Sequence, residues 1–271
     1  MVRKRNLPYQ RYHTYRRTLQ ILTLAFLFAV PLLNRLGHTW VLGTLYSLSF
    51  GNLTVVDPSL IIQVLLLTHR VGPVFLIGGL VPVVVALLLG KVFCSWACPF
   101  NFLAELGRTV FRRWRRAARA GNRNPPGARY WLIFAGILLV SASMGVPLIT
   151  LFSMPGLLSA EVGDWVFAGM FGVEIFIVVL ILALDILGTR RVWCKYVCPV
   201  GATLALFRTR RTLQIRYDAA ACDCPATASP CGAVCPLQLD PRSPGLYPYC
   251  FNCAECVAVC QHFGRALRFS R

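Results

Sequence analysis

The end of the chain carries CFNCAECVAVC at 250–260, four cysteines spaced C-x2-C-x2-C-x3-C. Thiolates are soft ligands suited to iron, and three set so closely wrap one face of a [4Fe–4S] cube. The fourth lies a helical turn further on and points to a second cube. That cube needs cysteines of its own, and ACDCPATASPCGAVCPLQ at 221–238 supplies Cys222, Cys224, Cys231 and Cys235. The pattern assigns Cys235, Cys250, Cys253 and Cys256 to one cluster, and Cys222, Cys224, Cys231 and Cys260 to the other. The upstream half is irregular, reading C-x-C-x6-C where C-x2-C-x2-C is usual. Structural zinc would pair C-x2-C knuckles across a longer loop, so iron is the expected metal.

A second device occurs twice. FCSWACPFNFLAEL at 93–106 and WCKYVCPVGATLAL at 193–206 each set two cysteines four apart, then a proline, then an apolar run. Cysteines at this spacing share a helix face, and the proline suits a helix start. Cys94, Cys98, Cys194 and Cys198 together offer four thiols. They suit a third [4Fe–4S] cluster, a Cu(I) site or a dithiol–disulfide couple. Buried packing cysteines are the plain alternative, and duplication of the whole device speaks against it.

The elements that must position these thiols read as membrane helices. Of 271 residues 56% are hydrophobic and 14% charged, where a soluble domain has about 25% charged. Four apolar runs, 19–36, 73–92, 130–152 and 166–188, approach or exceed the length that crosses a bilayer, about 20 residues. The segment DPSLIIQVLLLTH at 57–69 is too short to span upright and is expected to lie along or dip into the outer face. Asp57 and Pro58 give it an N-cap and a first-turn proline.

Basic residues gather before the first run, between the second and third, and after the fourth, which predicts cytoplasmic termini. The arginine-rich FRRWRRAAR at 111–119 is a topology determinant in this reading, and GNRNPPGAR at 121–129 a connector. The same distribution accounts for the net charge of +18 and argues against nucleic-acid binding. The chain has no glycine-rich phosphate loop, so nucleotide-driven chemistry is not expected. All twelve cysteines fall in segments predicted to face the cytoplasm, a reducing compartment that favours metal or redox chemistry over disulfides.

The expected architecture is mainly α. A basic N-terminus (1–18) precedes a four-helix transmembrane bundle (19–210) made of two parallel hairpin repeats, and a small bacterial-ferredoxin-like two-cluster domain (211–271) follows. Parallel repeats are related by an axis along the membrane normal, which brings the two cysteine pairs together. Glu174 is read as a carboxylate inside the fourth run, a functional candidate by default and a proton acceptor for quinol oxidation. His69, with Arg70, ends the outer segment where a quinone head group could sit.

This plan resembles the NapH-type membrane ferredoxins of periplasmic nitrate reductase systems. The resemblance covers nearly the whole chain, including GNLTVVDP (51–58), FCSWACP (93–99) and WCKYVCPVGA (193–202). MauN-type proteins of methylamine utilisation share the plan; nitrous-oxide-reduction regulators and CcoG-type copper-oxidase assembly proteins share parts of it. The NapH resemblance implies a bacterial inner-membrane component of a quinol dehydrogenase. Such a component passes electrons from membrane quinol toward periplasmic partners, with a ferredoxin-type or cytochrome protein beside it. The departures are the spacing at 222–231 and Gln261, where a proline often follows the last cysteine; both lean toward the methylamine branch. The alternative is an assembly factor that delivers reducing power or copper to a maturing periplasmic enzyme.

Overall fold

The computed structural model describes residues 8–110, 125–187, 191–224, 229–261 and 264–270. The arginine-rich segment 111–119 and the connector up to residue 124 lie outside the described residues.

The chain opens with α1 (Pro8–Arg35), 28 residues long. Its stretch His13–Arg35 is the one helical segment, among the described residues, long and apolar enough by itself to cross a membrane. A three-stranded antiparallel sheet follows: β1 (Val41–Thr44), β2 (Ser47–Phe50) and β3 (Leu53–Val56). Leu42 pairs with Ser49, and Ser49 with Thr54.

Helix α2 (Pro58–Thr68) starts as its first residues predict, with the Asp57 carboxylate accepting from the Ser59 N–H at 2.9 Å and Pro58 in the first turn. Helix α3 (Pro73–Leu89) packs on β3, and Gly78 lets the backbones approach, since a Cβ there would collide with the Thr54 carbonyl. Two helices complete this half, α4 (Val92–Trp96) and α5 (Pro99–Val110).

The second half repeats much of this order. It runs through α6 (Ala128–Met144), α7 (Leu148–Phe152), α8 (Met154–Ala168) and α9 (Glu174–Leu187), a π-turn at Trp193–Val197, and α10 (Pro199–Leu206). Here two sequence expectations need correction. The run 130–152 is not one helix: Gly145, at φ 66°, and Pro147 stop α6 before α7 begins. The run 166–188 breaks after Gly169, at φ 72°, and α9 begins only at Glu174. Apolar composition continues through both breaks, so hydropathy alone passes over them.

Among the described residues, one helix is long and apolar enough by itself to cross a membrane, and α2, α3 and α6 are shorter apolar helices. Large apolar side chains still face outward on α1, α3, α6 and α9, among them Leu22, Leu80, Leu139, Phe176 and Leu180.

The tail folds as β4 (Gln214–Tyr217) paired antiparallel with β5 (Leu267–Ser270), enclosing α11 (Pro230–Ala233) and α12 (Glu255–Cys260). Its interior is continuous with the helical domain: Tyr130 and Phe134 of α6 and Ala202 of α10 bury with Leu239, Phe251 and Cys256.

Candidate metal centre

The two repeated loops close in the same way. The Cys98 N–H donates to the Phe93 carbonyl and the Cys198 N–H to the Trp193 carbonyl, each at 2.9 Å. This five-residue step is rare in helices and concentrates at functional sites. Each second cysteine then precedes a proline-started helix, α5 or α10. The N–H groups of Phe100 and Asn101 face the Cys98 sulfur, and those of Val200 and Gly201 face Cys198. These are the orphan donors of a helix's first turn, so the Cys-Pro pair sets a sulfur where a serine or aspartate cap usually sits.

The two halves meet at these loops. Cys94, Cys98, Cys194 and Cys198 line one cavity. A Cβ on Gly201 would stand 4.0 Å from the Cys94 sulfur, across the two copies. Met154 and Pro155, the first residues of α8, line the same cavity, and Asp57, at the start of α2, lies within electrostatic reach of Cys94 and Cys198. Two short helices therefore begin at the four-cysteine site, one from each half.

The eight tail cysteines sort into two sets. Cys250 and Cys253 act on each other and on Cys235, and Cys256 on all three. Cys224 faces Cys222, Cys231 and Cys260, and Cys260 faces Cys231 and Cys222. Cys256 also reaches Cys231, so the sets adjoin. Backbone N–H groups donate to sulfur in both: Leu239 to Cys235 at 3.3 Å, Asn252 to Cys250 at 3.4 Å, and Leu267 to Cys260 at 3.2 Å.

These sets suit iron–sulfur clusters. Each offers four sulfur donors, no described cysteine forms a disulfide, and amide donors to the ligating sulfurs are among the features that tune such clusters. Burial pushes the Cys250 thiol up to about 11 and raises Cys253 and Cys256 as well. Thiols held like this stay protonated unless a metal core takes up their charge. Cys222 differs: the Cys224 backbone N–H draws its pKa below the usual thiol value.

The tail seats directly on the loops. The Ser95 hydroxyl, one residue from Cys94, donates to the Phe251 carbonyl, one residue from Cys250, at 2.7 Å. The Asn252 amide donates to the Leu89 and Leu213 carbonyls at 2.9 Å each and accepts from the Tyr247 hydroxyl at 2.6 Å. Arg16 of α1 pairs with Glu105 of α5 at 2.7 Å and with Glu255, beside Cys256, at 2.6 Å. Its guanidinium also donates to the Cys253 carbonyl at 3.4 Å.

The two candidate acid–base residues are not brought together. Glu174 is the first residue of α9, not an interior one, and hydrogen-bonds Glu161 of α8, which also accepts from the Gly172 N–H at 2.9 Å. His69 caps the C-terminus of α2 in the left-handed region, at φ 54°, and is exposed. Its backbone N–H bonds the Leu65 carbonyl. The sequence reading missed Glu161 as a partner, because it lies between the third and fourth apolar runs. It also missed Lys91 and Arg191, both buried at the four-cysteine site. A signal was present: each stands three residues before the first cysteine of its loop.

Comparison with known proteins agrees with this chemistry. A family model described as a 4Fe-4S binding domain matches twice, at residues 71–117 and 170–216, and both matches enclose a Cys-x3-Cys-Pro loop. The chain is an iron–sulfur electron-transfer protein. The ferredoxin-type protein NapH of Haemophilus influenzae is 28% identical over 266 residues, 92% of this chain and 87% of that one. NapH of Escherichia coli is 29% identical over 82% of this chain and 78% of its own. The methylamine utilization ferredoxin-type protein MauN of Paracoccus denitrificans is 28% identical over 82% and 74%. Over most of its length the chain is thus similar to the ferredoxin-type proteins NapH and MauN. No solved structure matches it.

Proposed function

We propose that this protein is a multi-pass membrane electron carrier that passes electrons between membrane quinol and a redox partner of a periplasmic enzyme system. The family model that matches the twin loops, and not only the regular tail spacing, carries this reading. It favours a cluster over Cu(I) at Cys94, Cys98, Cys194 and Cys198. Cys235, Cys250, Cys253 and Cys256 would hold a second cluster, and Cys222, Cys224, Cys231 and Cys260 a third. When bound, such clusters store and release single electrons. The Ser95–Phe251 hydrogen bond keeps the first two cysteine sets adjacent, and Cys256 adjoins the third.

The membrane reading rests on the outward apolar faces of α1, α3, α6 and α9. Helices α3 and α6 have 17 residues each, about 25 Å, at the short end of spanning length. The distribution of basic segments supports cytoplasmic termini in this reading, with residues 19–210 as the membrane domain and 211–271 as the cluster-binding tail. Quinol oxidation releases two protons with its two electrons, and Glu174, beside Glu161, is the proton-handling group of this proposal.

The test is iron and acid-labile sulfide on anaerobically purified full-length protein, with EPR after dithionite reduction. About twelve irons per chain are expected. About eight, with copper bound at Cys94 and Cys194, would replace this reading by a copper-delivery role. Glu174→Gln slows quinol-dependent reduction with iron unchanged; normal turnover would remove Glu174 from the account.

A further inference from the structure

Lys91 and Arg191 occupy equivalent places in the two halves, in Lys91-Val92-Phe93-Cys94 and Arg191-Val192-Trp193-Cys194. Both are buried, at 6% and 3% exposure. A buried cation is costly unless something balances it. Neither makes an ion pair with a carboxylate among the described residues. Lys91 Nζ has the Tyr130 hydroxyl at 3.4 Å and lies 5.3 Å from the centre of that ring. The ionisable groups acting on it are sulfurs: Cys94, Cys194 and Cys198 in the loops, and Cys250 on the tail.

Arg191 lies within reach of Cys98 and Cys194, and its Nε has no hydrogen-bond partner. The acids on neighbouring elements are Asp57, near Cys94 and Cys198, and Asp185, near Arg191. Asp57 is occupied as a helix cap, and Asp185 accepts from the Trp193 N–H at 3.4 Å.

With four neutral thiols Lys91 has no carboxylate paired with it, and Arg191 has the nearby Asp185, whose Oδ2 makes no hydrogen bond. Four thiolates around an oxidised [4Fe–4S] core leave a net charge of about −2, which two cations match. We propose that Lys91 and Arg191 are the built-in counter-charges of the four-cysteine site. Lys91, which also faces Cys250, holds up the reduction potential on both sides of the tail contact. The inference rests on the reading that the twin loops bind a cluster. A cation favours the more negative, reduced state, so its removal lowers the potential.

The experiment is an EPR-monitored redox titration with iron determination on wild type, Lys91→Met, Lys91→Arg and Arg191→Met, all full-length. Lys91→Met is expected to shift the loop cluster's one-electron equilibrium about tenfold toward oxidised, about 59 mV. The cluster on the Cys250 side shifts the same way by less, Arg191→Met moves the loop cluster alone, and Lys91→Arg stays at wild type. Unchanged potentials in Lys91→Met with full iron would overturn the inference and leave the loop cluster standing. Should Lys91→Met lose loop iron, retention in Lys91→Arg supports a charge role, and loss in both assigns the residue to shape and overturns it. A wild type with about eight irons would sink the loop cluster itself, and this inference with it.

Discussion

The two cysteine sets of the tail differ in what surrounds them. Cys235, Cys250, Cys253 and Cys256 face cations from three elements: Lys195 beside Cys235, Lys91 beside Cys250, and Arg16 beside Cys253. Their loop is tied to the helical domain through Ser95, Asn252 and Arg16. Cys222, Cys224, Cys231 and Cys260 rest on local contacts, with Arg242 as the cation facing Cys222. Asp218 caps the turn ahead of Cys222 and lies 3.8 Å from the exposed Arg268. The first set is thus held by the helical domain, the internal set, and the second rests on contacts within the tail, the outward set.

Cutting each set separately gives the sharpest test of this difference. Cys256→Ser is expected to have the largest effect. Cys256 faces its own three partners and also Cys231, so its loss removes about four irons and interrupts transfer through the tail altogether. Cys224→Ser removes about four irons as well, yet leaves the internal set reducible by quinol. Iron content and EPR under quinol check both. Equal loss of quinol-dependent signals in the two variants would erase the distinction between internal and outward sets.

Next in size is Arg16→Met. The guanidinium is 2% exposed and bridges Glu105 and Glu255 while donating to Cys253. Its removal breaks both ion pairs and leaves Glu105 to Arg17, and breaking a buried pair costs about 3–5 kcal/mol. The expected result is tail release, read as faster proteolysis between the helical domain and residue 214 with the helical domain intact. Asn252→Ala is smaller, about 1–3 kcal/mol, since it leaves the Leu89 and Leu213 carbonyls without their donor. It also puts alanine at φ 53°, which asparagine tolerates better. Unaltered stability in either variant would mean that the internal set does not depend on these ties.

Much of this contrast is legible in the residues. The spacing at 250–260 already groups Cys250, Cys253 and Cys256, because ligand spacing is a local property of the chain. Asp57 and Pro58 announce α2 for the same reason, a cap and a first-turn proline acting within one turn. The breaks at Gly145 and Gly169 are not legible from hydropathy, since the residues on both sides stay apolar and a window averages over them. The sheet β1–β3 is also missed, its strands being four residues each. Lys91 and Arg191 are harder still. At a span's end a basic residue reads as a topology signal, and only the meeting of the two halves shows it buried against sulfur.

The smallest effect is expected at Ser229. Its hydroxyl accepts from the Gly232 N–H at 3.2 Å, capping α11, and sits 3.6 Å from the Cys231 sulfur. A serine cap replaced by alanine costs about 1 kcal/mol, and α11 has only four residues over which to spread that loss. Ser229→Ala should therefore loosen Cys231 locally, with iron loss from the outward set about fivefold faster and the internal set unmoved. The two sets touch through Cys256 and Cys231, so this variant asks how far a disturbance crosses that contact. Equal acceleration in both sets would mean that the tail behaves as one cooperative unit. Confinement to the outward set would mean that its weak local scaffold can adapt to a partner while the internal set stays fixed to the helical domain.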